Sequence, residues 1–310
     1  MQNVQRLNEQ TSACGGEPWG NRELVLEFAA TVFRFQGLSD AQVFRIEQRY
    51  GRAIPEQHTR VEAIQTGVCK GDLPVHDDPL RYSENNLYTP LTRQDARGLD
   101  VEGYGFQARI DLKPGFHGQL WGENEILLAR SIVFENYLRT VAAYAALQRR
   151  GLFLHSAGIV VDNQAWLFLG RSGAGKTTLS RLALKQGADI LSDDANMLLP
   201  DAAGRYHAGP VPFAGELGDV NKDARQDYPV AGLLWLEQDD CLECADLPPA
   251  QQLARTMACC PVVNVDPFRG EKLLDVIENL LKQVPMRVLH FRKTDPFEAI
   301  LKAIGVKTDA

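Results

Sequence analysis

The sequence predicts an α/β protein of mixed α+β sheet character, with an N-terminal α+β region ahead of a second α/β core. Three observations carry that prediction. Past residue 150, short apolar strands alternate with amphipathic helices. A glycine-rich turn, Gly170 to Gly175, joins one such strand to one such helix. Between the two regions, Asn124 to Arg150 contains no Gly or Pro and repeats its apolar residues at helical spacing.

Composition sets the outer limits. The 310 residues, 45% apolar and 24% charged, suit one large or two moderate domains and exclude a disordered, collagenous or coiled-coil chain. With 33 Lys+Arg against 40 Asp+Glu the net charge is -7, so no general field draws the chain to nucleic acid or anionic lipid. The N-terminus lacks the pattern of a signal peptide, and no run nears the roughly 18 to 20 apolar residues that span a bilayer. A cytoplasmic location without membrane attachment is therefore expected, with the six cysteines as free thiols.

In chain order, residues 1–22 are polar and carry Gly15, Gly16 and Pro18, which predicts a flexible lead. Residues 23–149 form the expected N-terminal α+β region. Its first apolar stretch, LVLEFAATVFRF, includes a strand over Thr31 to Phe35. Ser39 caps a helix through Val43, Phe44, Ile46 and Tyr50 that stops near Gly51. Residues 52–98, broken by four prolines, read as loop with short strands. Alternating Phe106, Ala108, Ile110 and Leu112, followed by Pro114-Gly115 and HGQLW, predict a hairpin buried on one face. Leu127, Ile132, Phe134, Tyr137, Leu138, Val141 and Leu147 then predict one long helix joining two halves.

Residues 150–310 form the second expected domain. Strand GLFLHSAGIVV, an Asp162-Asn163 turn and strand AWLFLG lead to helix KTTLSRLALKQG, then strands ADILSDD, NMLL and RYHA. Strand VAGLLWLEQ, helices PAQQLARTMA and EKLLDVIENLLKQ, strand MRVLHF and helix PFEAILKAI complete the chain.

The chemistry concentrates in this half. Gly170-Arg171-Ser172-Gly173-Ala174-Gly175-Lys176-Thr177 fits G-x-x-x-x-G-K-[ST], in the strand-to-helix setting that motif requires. Such a loop meets a polyphosphate with several backbone N–H groups at close range, because glycines bring no Cβ and the helix N-terminus adds partial positive charge. Lys176 would reach the β and γ oxygens, and the Thr177 hydroxyl would help hold Mg²⁺. Thr178 follows on the first helical turn.

Asp193 and Asp194 end the strand that follows the loop's own helix, where a carboxylate can face nucleotide-bound Mg²⁺. Neighbouring side chains on an extended backbone point to opposite faces, so if the strand continues one acid would face the phosphates and the other away, unless a bulge re-aims them; which one is open. His155 sits on the strand preceding the loop strand, within possible reach of metal or acids, where it could orient a carboxylate.

In order and spacing, His155, GRSGAGKT and Asp193-Asp194 resemble the phosphoenolpyruvate-carboxykinase-like P-loop superfamily, and within it the HPr kinase/phosphorylase-related kinases. The resemblance spans roughly residues 150–305 and includes VPMRVLHFRKTDPFEAI near the end. It implies a PEP-carboxykinase-like P-loop kinase core in which Gly170, Gly173, Gly175, Lys176 and Thr177 hold ATP and Mg²⁺, Asp193 or Asp194 is base and metal partner, and His155 supports them. Thr178 stands where HPr kinases carry an acid, which points away from HPr as acceptor. The expectation is γ-phosphoryl transfer from ATP to a hydroxyl, such as serine, of a peptide, protein or small molecule. A nucleotide-binding regulatory protein or ATPase without an acceptor, and a carboxykinase of C4 acids, are the alternatives; a homo-oligomer stays open.

Other clusters read as structural. Cys241, Cys244, Cys259 and Cys260 include a C-x-x-C start, yet adjacent thiols are poor co-ligands of one tetrahedral metal. His76-Asp77-Asp78 reads as a solvated loop, and Arg255, Arg269, Arg287 and Arg292 as solvated surface charges. The stretch GPVPFAGELGDVNKDARQ is expected near the acceptor.

Overall fold

The computed structural model describes residues 16–56, 63–73, 90–213, 215–218 and 226–306. The chain forms two compact units, one up to Val141 and one from Ala142. Both contain mixed sheets with helices, as the composition and periodicity predict.

The first unit is built on a seven-stranded sheet in the order β1-β2-β3-β7-β6-β5-β4. Its strands are β1 (Arg22–Phe28), β2 (Thr31–Leu38), β3 (Ile64–Lys70), β4 (Leu91–Gln94), β5 (Gly98–Gly103), β6 (Phe106–Asp111) and β7 (His117–Gly122). The pairs β2–β3 and β3–β7 are parallel and the others antiparallel. β1 and β2 form a hairpin where a single strand is expected over Thr31–Phe35. Its turn residues Ala29 and Ala30 have φ of 45° and 50°, so two alanines do what Asn-Gly usually does and leave no sequence signal. The last residues of the expected flexible lead are tied to this sheet, Lys70 N–H donating to Glu17 O at 2.7 Å and Trp19 N–H to Gly37 O at 2.9 Å.

Helix α1 (Asp40–Tyr50) begins as expected: Ser39 accepts from the Gln42 amide, and the Gln42 side chain accepts from the Ser39 amide, a reciprocal cap. Val43, Ile46 and Tyr50 are buried, whereas Phe44 is exposed. In β6, Phe106, Ala108 and Ile110 alternate inward as predicted. The single long helix expected over 124–150 is instead two. Asn124 caps α2 (Glu125–Leu128), Arg130 N–H closes a tight turn on Leu127 O, and α3 (Ser131–Gln148) starts afresh with Phe134 N–H on Arg130 O. Leu128 and Ala129 are buried at the break, so tertiary packing overrides a helical pattern that no Gly or Pro interrupts.

The second unit holds an eight-stranded sheet: β8 (Leu152–Val161), β9 (Gln164–Leu169), β10 (Asp189–Ser192), β11 (Ala195–Pro200), β12 (Tyr206–Gly209), β13 (Tyr228–Gln238), β14 (Glu243–Asp246) and β15 (Met286–Phe291). β8 is the long central element. Its first half pairs with β11, and its second half pairs with β10 and, through a two-residue turn at Asp162 and Asn163, with β9. That turn has φ of 52° and 57°, the left-handed pair its sequence predicts. β9, β13 and β15 run parallel, so their carboxyl ends lie together. The short edge strand β14 escapes sequence reading because it lacks a two-residue apolar alternation.

Helices α4 (Lys176–Lys185), α5 (Pro249–Ala258), α6 (Gly270–Gln283) and α7 (Phe297–Ala303) complete this unit. Leu179 and Ala183 of α4, Phe297 and Ile300 of α7, and Phe168, Leu234, Leu289 and Phe291 of the sheet share one buried cluster. Each large side chain so buried contributes about 1.5–3 kcal/mol of hydrophobic stabilisation, which fixes α4 on the sheet and the preceding loop with it. Among the described residues no helix is long and apolar enough to cross a membrane.

Candidate functional site: a glycine loop and a split acid pair

The loop from Gly170 to Gly175 leaves the carboxyl end of β9 and feeds directly into α4. Gly173 and Gly175 have φ of 78° and 110°, left-handed conformations that glycine adopts without cost to a side chain. A Cβ on Gly175 would also lie 2.8 Å from Phe291 Cζ. Gly175 is the N-cap of α4 and supplies no side-chain cap, so the first-turn amides, including those of Lys176, Thr177 and Thr178, face the loop without one. Ala174 N–H donates to Arg171 O at 3.1 Å, which closes the loop on itself. Gln238, at the end of β13, donates its Nε2 to Gly173 O at 2.7 Å. Arg171 and Ser172 are exposed, while Thr177 and Thr178 are half-buried.

Lys176 is buried, with Nζ donating to Gly170 O at 3.0 Å and Arg171 O at 3.4 Å, so its charge is held at the loop. Burial depresses its pKa; the neighbouring Cys259 and Asp194 partly offset that. Cys259 joins the site without any local sequence signal. Its carbonyl accepts the His155 amide at 2.8 Å, and its thiol, pushed up by burial, is drawn back by the Gly170 amide and Lys176. A cysteine at the end of α5 therefore touches both the loop and the histidine strand, a tertiary contact with no local signature.

β10 stops at Ser192, after a register irregularity against β8, and the two acids follow in a bend. Ser192 shapes that bend: its Oγ accepts from the amides of Asp194 at 3.3 Å and Ala195 at 3.2 Å and donates to Phe213 O at 3.2 Å. The acids then part. Asp193 is buried and accepts the amides of Gly215 and Leu217, each at 3.1 Å. Burial raises its pKa, the Leu217 and Gly215 amides hold it down in part, and Asp194 pushes it up again. Asp194 turns the other way: its Oδ1 lies 3.2 Å from His155 Nδ1, and its charge acts on Lys176. His155 is mid-strand in β8, opposite Ala195 of β11, and the next residue, Ser156, is opposite Leu169, the last residue before the loop. Two strand pairings thus bring together residues that lie far apart in the chain.

The described part of the expected acceptor loop, residues 209–213, 215–218 and 226, adjoins Asp193 through those two amides. Of the arginines expected to be solvated, Arg255, Arg269 and Arg287 are engaged by partners that the fold supplies, whereas Arg292 is a surface charge as expected, exposed though paired. Arg255 pairs with Glu237 at 3.0 Å over the Trp235 ring, and Arg269 pairs with Asp266 at 3.3 Å. Arg287 donates to Ile304 O at 2.7 Å, and Arg292 pairs with Asp295 at 3.0 Å. Cys260 is buried and Cys241 exposed, with Cys244 between them in exposure. His76-Asp77-Asp78 lies outside the described residues.

A hard cation bound with a triphosphate needs few protein oxygens. The Thr177 hydroxyl and the partly exposed Asp194 carboxylate supply that chemistry, and among the described residues no cluster of three or more His, Cys, Asp or Glu forms a cage of its own. A family model described as "SynChlorMet cassette protein ScmC" matches residues 125–295, more than half of the chain and all of this site. A comparison with curated proteins found no match.

Proposed function

The chain belongs to the family of the SynChlorMet cassette protein ScmC, and from the geometry of its loop and acids we propose that it is an ATP-dependent phosphotransferase of the HPr-kinase-like type, built on a PEP-carboxykinase-like P-loop core. The observation that carries the reading is the position of Asp194, whose carboxylate contacts His155 at 3.2 Å while its charge reaches the loop lysine, Lys176. A strand-to-helix glycine loop alone supports only phosphate binding; an acid held by a histidine, with its charge acting on the loop lysine, supplies a candidate base for transfer.

In this reading the loop amides and Lys176 bind the triphosphate. Thr177 and Asp194 would hold Mg²⁺, which neutralises phosphate charge when bound. The acceptor hydroxyl oxygen forms a bond to the γ-phosphorus as the bond to the β,γ-bridging oxygen breaks, ADP leaves, and the hydroxyl proton passes to Asp194 and then to water. An ordinary carboxylate suffices, since phosphoryl transfer asks mainly for orientation and late proton uptake. His155 keeps Asp194 aimed. Asp193 serves the acceptor side, because it anchors the 215–217 backbone beside the base. The acceptor is a hydroxyl of a peptide, protein or small molecule, with serine the simplest candidate.

The test is incubation of the full chain with Mg·ATP and panels of serine-bearing peptides and free hydroxy amino acids, read by mass spectrometry and ADP release. A phosphoryl adduct formed with stoichiometric ADP supports transfer. ADP and free phosphate without an adduct would replace it with an ATPase, and no ADP at all would overturn it.

A further inference from the structure

A cavity of about 580 Å³ opens beside the loop, away from the acids. One wall is the loop itself, Arg171 to Ala174; the others bring Trp235, Glu237 and Gln238 from β13 and Arg255 from α5. Arg255 is the organised element. Its guanidinium carbon lies 5.0 Å from the Trp235 ring centroid, and its Nη2 lies 3.0 Å from Glu237 Oε1. Nη1 is buried with no hydrogen-bond partner among the described residues. A planar cation backed by an indole and pinned by a carboxylate is a ready stacking surface.

Topology assigns this surface a side. β9 pairs with β8 along one edge and with β13 along the other. His155 comes from β8, and the Asp193-Asp194 bend joins β10 to β11, both of which pair with β8. The cavity lies on the β13 side, at the carboxyl ends of parallel strands, where open α/β sheets take their ligands. A triphosphate whose terminal group meets Lys176 and Asp194 directs its other end away from the acids. The Gln238–Gly173 hydrogen bond joins the loop wall to the β13 wall.

We infer that this cavity is the nucleoside subsite and that Arg255, backed by Trp235, is the platform on which the base lies, purines being favoured by their larger face. The inference rests on the phosphate-loop reading but is separable from it. Binding of Mg·ATP and of inorganic tripolyphosphate to the full chain is measured by calorimetry for wild type, R255A, R255M and R255K. R255M keeps the packed stem over Trp235, and R255K keeps the charge without the plane; thermal unfolding reports whether each variant is folded. The expected result is a loss of roughly five- to a hundredfold in ATP affinity for all three, with tripolyphosphate affinity unchanged and UTP weaker than ATP for wild type. Unchanged ATP affinity in folded R255M, equal losses for ATP and tripolyphosphate, or full rescue by R255K would overturn the platform. Failure of wild type to bind either ligand would instead remove the phosphate-loop reading and this inference with it.

Discussion

His155 Nδ1 stands 3.2 Å from Asp194 Oδ1, although the two residues are far apart in the chain; the pairing of β8 with β10 and β11, and the Ser156 amide donating to Asp194 O at 3.1 Å, bring them together. The contact separates the two neighbouring acids by role, since Asp193 is occupied by the amides of Gly215 and Leu217.

Replacing Asp194 with Asn is expected to lower the transfer rate between about a hundredfold and ten-thousandfold, with ATP affinity within about threefold of wild type. H155Q should lose less, roughly tenfold, because it disturbs only the aim of the carboxylate. Single-turnover transfer together with equilibrium ATP binding checks both, and wild-type rates in D194N would remove Asp194 from the chemistry.

Asp193→Ala leaves two amides without an acceptor in a buried setting, a cost of about 1–3 kcal/mol. The expected kinetic signature is a raised KM for the acceptor with a smaller change in kcat. Urea unfolding and steady-state kinetics report the two effects; a D194N-like collapse of kcat at unchanged KM would assign the chemistry to Asp193 instead.

The loop lysine carries a pH prediction with a definite sign. Burial places the folded pKa of Lys176 below its unfolded value, so the folded chain binds fewer protons in that interval and gains stability as pH rises through it. K176M removes a buried charge. Its unfolding midpoint should exceed that of wild type below the folded pKa, and the gap should narrow as pH climbs from the folded pKa to the ordinary lysine value and stay constant beyond it, while Mg·ATP binding is lost throughout. Thermal melts across that range, with calorimetry for the nucleotide, measure both.

The two left-handed loop glycines should respond differently. Gly173 faces open space, so G173A bears only the backbone penalty of about 1 kcal/mol. At Gly175 the added methyl would also press on Phe291, so G175A should cost more, about 2–3 kcal/mol. Comparable melting temperatures for the two variants would show that Phe291 yields.

Where local chemistry dictates structure, the residues announced it. The Ser39–Gln42 cap, the inward alternation of Phe106, Ala108 and Ile110, the Asp162-Asn163 turn and the glycine loop all read directly from sequence. What escaped depends on distant contacts. Ala29 and Ala30 turn left-handed because the paired strands on either side hold them there. The break between α2 and α3 answers to buried Leu128 and Ala129. The strand alternation expected at Asp193 and Asp194 does not apply, because β10 ends at Ser192 and the acids part in a bend, where Gly215 and Leu217 hold one and His155 the other. Cys259 and Arg255 reach the site only because the carboxyl half of α5 packs beside the loop and Trp235.

The mooring of residues 215–217 relies on main-chain N–H groups, which every amino acid except proline provides. At Gly215 a Cβ would lie 2.5 Å from Asp193 Oδ1, so that position is held to glycine, whereas the side chains of Glu216 and Leu217 can diverge while the anchor stays put. Under the proposed function, selectivity is open to engineering at residues 216 and 217 without disturbing the neighbouring acid.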